Sequence, residues 1–256
     1  MSFDLSRELA AAKKAALLAG KVQLEYLELS SKRIEIKSDA SPVTEVDVKC
    51  ERLIREILEK EFPEDGFLGE ESGESKSKSG RTWIVDPIDG TRPYIRGIPT
   101  YSALIALEEK GEAIVGVMHL PGLGECYTAS KGGGAYLNDK PIRVSQTKTL
   151  GEAMGSGLGF IQRPGSDLAV RQLKLFSESN YFYGFMDAFS YGLIASGRMD
   201  YSVNLLDKPW DLAAAACIVR EAGGRFSTVD GENNVLKGSS VLTNGLLHEA
   251  VLDYFR

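Results

Sequence analysis

The stretch Trp83-Ile84-Val85-Asp86-Pro87-Ile88-Asp89-Gly90-Thr91 constrains this chain more than any other. An apolar run stops at two carboxylates three residues apart. Trp83–Val85 is short, β-branched and bounded by breakers, which predicts a buried strand. Asp86 then falls at the strand's C-terminal end, where open α/β sheets put their ligands. Pro87 fixes φ and lacks an N–H, so the strand cannot simply continue. Both carboxylates can turn to one point, with the Ile88 carbonyl between them. Hard divalent cations take such a mixture of carboxylate and carbonyl oxygens. The N–H groups of Gly90 and Thr91 could hold a phosphate at the start of the next helix. The same spacing also fits an Asx turn at a strand end, with no ligand at all.

Composition narrows the classes. The 256 residues are enough to bury a substantial core. A net charge of -6 argues against a duplex-binding surface, and against nucleic acid as a partner. Cys50, Cys126 and Cys217 lie far apart with no C-x-x-C, which suggests neither a disulfide framework nor a zinc site. His119 and His248 are the only histidines, so a Ser-His-Asp or zinc-histidine mechanism has little material. His119 lies in an apolar run beside Pro121 and reads as a core residue. The N-terminus is charged and amphipathic, with no signal peptide or membrane span, so the expected location is the cytoplasm.

In chain order, Phe3–Leu29 has helical period, with Leu5, Leu9, Ala12, Ala16, Ala19 and Leu24 near one face. Ile34–Lys37 alternates like a strand and Ser38–Pro42 is a loop. Thr44-x-x-Asp47 resembles a capping box, opening a second helix that Phe62-Pro63 ends, and so gives Asp47 an ordinary role at N3. Gly69-Glu70-Glu71-Ser72 follows, then Ser72–Gly80, a polar stretch expected to be a flexible lid. Beyond the central strand, Ser102–Leu107, Ala113–His119, Glu125–Thr128 and Ala135–Leu137 predict an antiparallel meander. Strands at Gly151–Ile161, Tyr181–Tyr183, Met199–Val203, Phe226–Thr228 and Ser240–Leu242 alternate with helices at Asp167–Ser177, Met186–Gly197, after Asp211, and Leu246–Phe255. Asp211 reads as the N-cap of an alanine-rich helix ending at Gly223-Gly224. The order predicts a layered α/β or α+β sandwich, one domain over 1–256 with halves at about 1–145 and 146–256.

Each acid singly has a bland role. Together, Asp47, Glu70, Asp86, Asp89 and Asp211 form a set that would repel and take up protons unless divalent cations joined it. Two or more Mg²⁺ ions beside a phosphate pocket imply metal-assisted phosphoryl hydrolysis. Spacing alone does not bring the acids together.

Gly69-Glu70-Glu71-Ser72, Trp83–Thr91 and Trp210-Asp211-x-Ala-Ala with Glu221-Ala222-Gly223-Gly224 resemble the inositol monophosphatase family, in order and spacing, over essentially the whole chain. The resemblance implies an αβαβα sandwich, commonly a homodimer, that hydrolyses small phosphomonoesters with two or three Mg²⁺ ions and is often inhibited by Li⁺. It implies that Glu70, Asp86 and the Ile88 carbonyl hold a first metal, and Asp86, Asp89 and Asp211 a second, with a weaker third leaning on Glu70 through waters. It further implies that Thr91, backed by Asp47, orients the attacking water, and that Gly90 and Thr91 N–H groups bind phosphate.

The chain departs from the family pattern at Pro93, at Asn204 (commonly a Glu that touches inositol hydroxyls) and across Met186–Gly192. With Ile95–Pro99, that last segment resembles the histidinol-phosphate phosphatase branch. There an acid at the Asp187 position suits a cationic substrate, although Asp187 also reads as a helix N-cap. The expected substrate is therefore L-histidinol phosphate. Inositol 1-phosphate, fructose bisphosphate and nucleotide 3′-phosphates are the alternatives, and a phosphometabolite-binding regulator is the non-enzyme alternative.

Overall fold

A computed structural model describes residues 4–27, 34–36, 42–160, 162–184 and 187–256, with backbone alone for 34–36 and 42–44. The predicted loop at 38–41 and the outermost residues Phe3, Leu29, Lys37, Ile161 and Met186 of predicted elements lie outside the described residues.

Helix α1 (Ser6–Leu27) is followed by short antiparallel strands β1 (Ile34–Ile36) and β2 (Pro42–Thr44), then helix α2 (Glu45–Glu61). Ala12, Ala15, Ala16 and Ala19 are fully buried on α1. Such small side chains bring its axis close to the sheet beneath. Leu24, placed near that apolar face by period, is 41% exposed. Gln23 takes the buried position there instead, fully buried against β5.

The first sheet contains β3 (Gly66–Gly69), β4 (Gly73–Ser75), β5 (Arg81–Asp89), β6 (Ser102–Glu109), β7 (Glu112–Leu120), β8 (Glu125–Ser130), β9 (Gly134–Leu137) and β10 (Lys140–Pro141). Helix α3 (Thr91–Ile95) leaves the end of β5. The strand order is β10-β9-β8-β7-β6-β5-β3-β4, antiparallel throughout except for the parallel pair β3 and β5. Both faces are covered, so the central strands are apolar on alternate residues in both directions. Trp83, Val85, Ile105 and Leu107 pack under α1 and α2, while Ile84, Leu104 and Ala106 face the opposite side.

The second sheet contains β11 (Met154–Leu158), β12 (Tyr181–Tyr183), β13 (Tyr201–Asn204), β14 (Arg225–Ser227) and β15 (Ser240–Thr243), in the order β12-β11-β13-β15-β14. Helices α5 (Asp187–Ala195) and α6 (Pro209–Glu221) fill the space between the sheets. Ala213–Ala216 are buried on every side of α6, as expected of a helix sandwiched between two layers. Helices α4 (Asp167–Ser177) and α7 (His248–Leu252) contribute Leu175, Phe176, Val251 and Leu252 to the core on the far side of the second sheet. The layers run helix, sheet, helix, sheet, helix, the predicted αβαβα sandwich.

Two expectations are corrected. Ser72–Gly80 is not a free lid: β4 pairs with β3, and the Lys78 and Ser79 N–H groups both donate to the Glu64 carbonyl at 2.9 Å. Serines that suggested mobility instead close the turn, with Ser79 Oγ donating to Asp65 at 2.7 Å. The closing helix is the short His248–Leu252, inside the predicted Leu246–Phe255.

Candidate active site

The β5–β6 register explains how Asp86 and Asp89 come to one side. Asp86 opposes Leu104 and Asp89 opposes Ser102, so three steps on β5 match two on β6. In a regular strand, residues three apart point to opposite faces. The extra residue at Pro87 makes a bulge and re-aims them together. The Gln23 side chain donates to the freed Pro87 carbonyl at 2.7 Å. Asp86 Oδ1 accepts the Ile88 N–H at 2.9 Å, so the Asx turn and the convergence of acids coexist. Gly90 follows at φ +78°, the left-handed conformation that favours glycine, and starts α3.

Asp211 arrives from the other half. It is the third residue of α6, not its N-cap: Pro209 takes the first helical position, and the Asp211 carboxylate accepts the Lys208 N–H at 2.7 Å. Carboxylate oxygens of Asp86, Asp89 and Asp211 lie within 4.8 Å of one another. Glu70 follows β3, its N–H bonded to the Val85 carbonyl at 3.2 Å. It lines the same cavity of about 320 Å³ as those three, with Ile88, Gly90, Thr91, Asp187 and Asn204. Asp47, third residue of α2 as predicted, lies behind: Thr91 Oγ1 donates to its Oδ1 at 3.4 Å and to the Ile88 carbonyl at 3.1 Å.

The electrostatics are those of acids facing acids. Burial, then Glu70, Asp89, Asp211 and Asp47, push the Asp86 carboxyl well above the ordinary range. Burial, then Asp187 and Asp211, push Asp89 up, opposed by the Ala188 N–H that donates to its Oδ2 at 3.0 Å. Burial raises Asp211 to about 8, with Asp207 and Glu70 adding to it. Such a set needs protons or a cation to exist at neutral pH. Its donors are all oxygen, and neither histidine nor any cysteine lines the cavity. That chemistry fits a hard divalent cation.

Asp187 is the first residue of α5, and its Oδ2 lies 3.2 Å from where a Cβ on Gly90 would stand. It therefore faces the cavity of its own chain. Burial raises its pKa, and Arg92 acts in the other direction. Asn204 lines the cavity, but its carboxamide is engaged: Oδ1 accepts the Leu158 N–H at 2.7 Å and Nδ2 donates to Tyr191 Oη. Sequence reasoning missed Asp207, a buried acid on the cavity wall that accepts from Tyr191 Oη at 3.0 Å and from Ser240 Oγ. Burial, eased by those hydroxyls, raises it to about 6. It lies just before α6, outside the helix, and no local motif marks it. His119 lies away from the cavity, Nδ1 against the Glu125 carbonyl at 3.2 Å.

Comparison with known proteins finds relatives along the whole chain. The model of the inositol monophosphatase family matches residues 4–256. A histidinol-phosphatase of Mycobacterium tuberculosis is 40% identical, over 97% of this chain and 96% of its own. One from Chlorobaculum parvum is 39% identical, over 95% and 92%. An inositol-1-monophosphatase of Rhizobium meliloti is 36% identical, over 90% and 88%. Among solved structures, the extragenic suppressor protein suhB of Bartonella henselae superposes with a TM-score of 0.89 at 30% identity, over 96% and 97%. An IMPase of Thermotoga maritima gives 0.86 at 30%, over 97% and 96%. Whole-chain similarity at this level makes the chain a phosphatase belonging to the inositol monophosphatase family, a metal-dependent group acting on small phosphorylated substrates.

Proposed function

We propose that this phosphatase hydrolyses L-histidinol phosphate to L-histidinol and inorganic phosphate, with Mg²⁺ held by Glu70, Asp86, the Ile88 carbonyl, Asp89 and Asp211. The observation that carries the substrate is the Asp187 carboxylate, set beside Gly90 in the cavity wall. Asp207 adds a second acid to that wall. Cations at the convergent set leave these two carboxylates to face the leaving alcohol, and an amine or imidazolium would answer them. A neutral polyol would not. Relatives named histidinol-phosphatase at 39% and 40% identity support the reading. The inositol-1-monophosphatase at 36% supports inositol 1-phosphate as the second one.

When bound, two or three Mg²⁺ ions would supply charge neutralisation on the phosphoryl oxygens and an acidified water. The protein's own groups do the positioning. Gly90 and Thr91 offer N–H groups to the phosphate. Thr91 Oγ1, held between Asp47 and the Ile88 carbonyl, orients the water for in-line attack. Asp89, fixed by the Ala188 N–H, and Asp211, fixed by the Lys208 N–H, stand on the leaving-group side. A cytoplasmic homodimer inhibited by millimolar Li⁺, working as one unit over residues 1–256, completes the reading.

Steady-state kinetics tests it. kcat/KM should be higher for L-histidinol phosphate than for inositol 1-phosphate. Asp187→Asn should lower it more for histidinol phosphate than for a neutral aryl phosphate. A preference for inositol phosphate, or equal losses on the two esters, contradicts the proposal.

A further inference from the structure

We propose that Glu51 is a positioning residue that holds the Glu70 loop against the repulsion of the other acids, and so sets the affinity for the cation; this rests on the metal centre proposed above. Glu51 lies on α2 one turn after Asp47 and is 2% exposed. It does not line the cavity. Its carboxylate turns instead to the backbone just beyond Glu70: Oε2 accepts the Glu71 N–H at 2.8 Å and Oε1 accepts the Ser72 N–H at 2.6 Å. One turn further on, Arg55 Nη1 donates to Ser72 Oγ at 3.1 Å. Residues 47, 51 and 55 are neighbours along one stripe of the helix. That stripe reaches Thr91 with its first member and the Glu70 loop with the other two.

The loop is therefore held on both sides of Glu70. Before it, the Glu70 N–H is tied to the Val85 carbonyl, next to Asp86. After it, two successive N–H groups are gripped by one buried carboxylate, a charge-assisted arrangement stronger than neutral hydrogen bonds. The grip has a force to resist, because Glu70 lines the same cavity as Asp86, Asp89 and Asp211, and like charges brought together repel. Without the brace, that repulsion would move the Glu70 loop outward, and a cation would have to draw it back. Gly69 provides the room: a Cβ there would stand 2.5 Å from the Glu51 carboxylate.

The test is Mn²⁺ binding to metal-free protein, for wild type, Glu51→Gln and Gly69→Ala, with amide exchange of residues 70–73 in the same samples. Gln sets an NH₂ against one of the two N–H groups. The Gly69 substitution displaces the carboxylate without changing its charge, and it stands in if Glu51→Gln fails to fold. Each variant should exchange faster at Glu71 and Ser72 and bind Mn²⁺ about 10–100-fold more weakly, the usual loss when the support of a metal ligand is removed. Faster exchange with Mn²⁺ affinity within twofold of wild type would reduce Glu51 to a fold-stabilising role and overturn the proposal. Wild type that binds no Mn²⁺ would overturn the metal centre itself.

Discussion

Two groups of buried acids in this molecule have opposite surroundings. Under α1, Asp65 and Glu8 face Arg81: Nε and Nη2 grip the two Asp65 oxygens at 3.2 and 3.1 Å, and Nη1 reaches Glu8 at 2.9 Å. Across the sheet, Asp86, Asp89 and Asp211 face one another and Glu70. The first group is complete within the chain and serves stability. The second repels itself, raises its own pKa values, and is complete only with something brought from solution. A buried acid with its cation built in is architecture, and one without it points to a site.

Removing a member from each group should therefore break different properties. Arg81→Met strands Asp65, whose side chain is 2% exposed, and should cost about 3 kcal/mol of stability. Thermal unfolding should show a drop of roughly 6–12 °C, with the metal requirement for turnover unchanged. Asp89→Asn should do the reverse. It should lower kcat by about a hundredfold, ~2.7 kcal/mol of transition-state stabilisation. It should leave the Tm of metal-free protein equal or higher, because one repelling charge is gone. A variant that lost Tm and kept kcat would make Asp89 part of the architecture.

A smaller effect sharpens the contrast through pH. Asp211 is raised to about 8 in the fold, so the folded state holds a proton there that the unfolded chain has lost. That contribution is complete below the unfolded value near 4 and is lost as pH rises through the folded value. His248 acts oppositely. It is fully buried between Ser227 and Thr243 and lowered to about 4, so it adds stability as pH rises toward 6.5 and nothing more beyond. Between pH 6.5 and 8 only the acids remain. Asp211 alone should cost metal-free protein about 1 kcal/mol per pH unit there, with Asp86 and Asp89 adding to it, so Mg²⁺ should flatten the slope and Asp211→Asn should reduce it. A slope that survives both would place its origin elsewhere.

The sequence made part of this legible and hid the rest for physical reasons. The meander from β6 to β9 could be read because each apolar run is set off from the next by a Gly or Pro turn. Pro87, which cannot supply a ladder N–H, marked an irregularity, but the strand expected to end at Asp86 runs on through a bulge to Asp89. Asp211 was legible by type but misplaced by three positions, since Lys208 is the N-cap and Pro209 takes the first position of α6. The edge strand β4 was hidden because serines that suggest mobility can equally close turns. Asp207 and Glu51 were hidden because nothing local marks them. One is set by Tyr191 and Ser240, and the other by a loop 20 residues away, contacts that only the folded chain creates.

If the self-repelling acids form a cation site that drives phosphate-ester hydrolysis, turnover must depend on the cation. The most direct test of that dependence is phosphate release from L-histidinol phosphate and an aryl phosphate by EDTA-stripped enzyme, across a Mg²⁺ titration at neutral pH. Turnover should be at background without Mg²⁺, return saturably on adding it, and not return in a protein carrying Asp89→Asn and Asp211→Asn together. Turnover of the stripped enzyme at the full rate, or a double variant that responds to Mg²⁺ like wild type, would contradict the cation site.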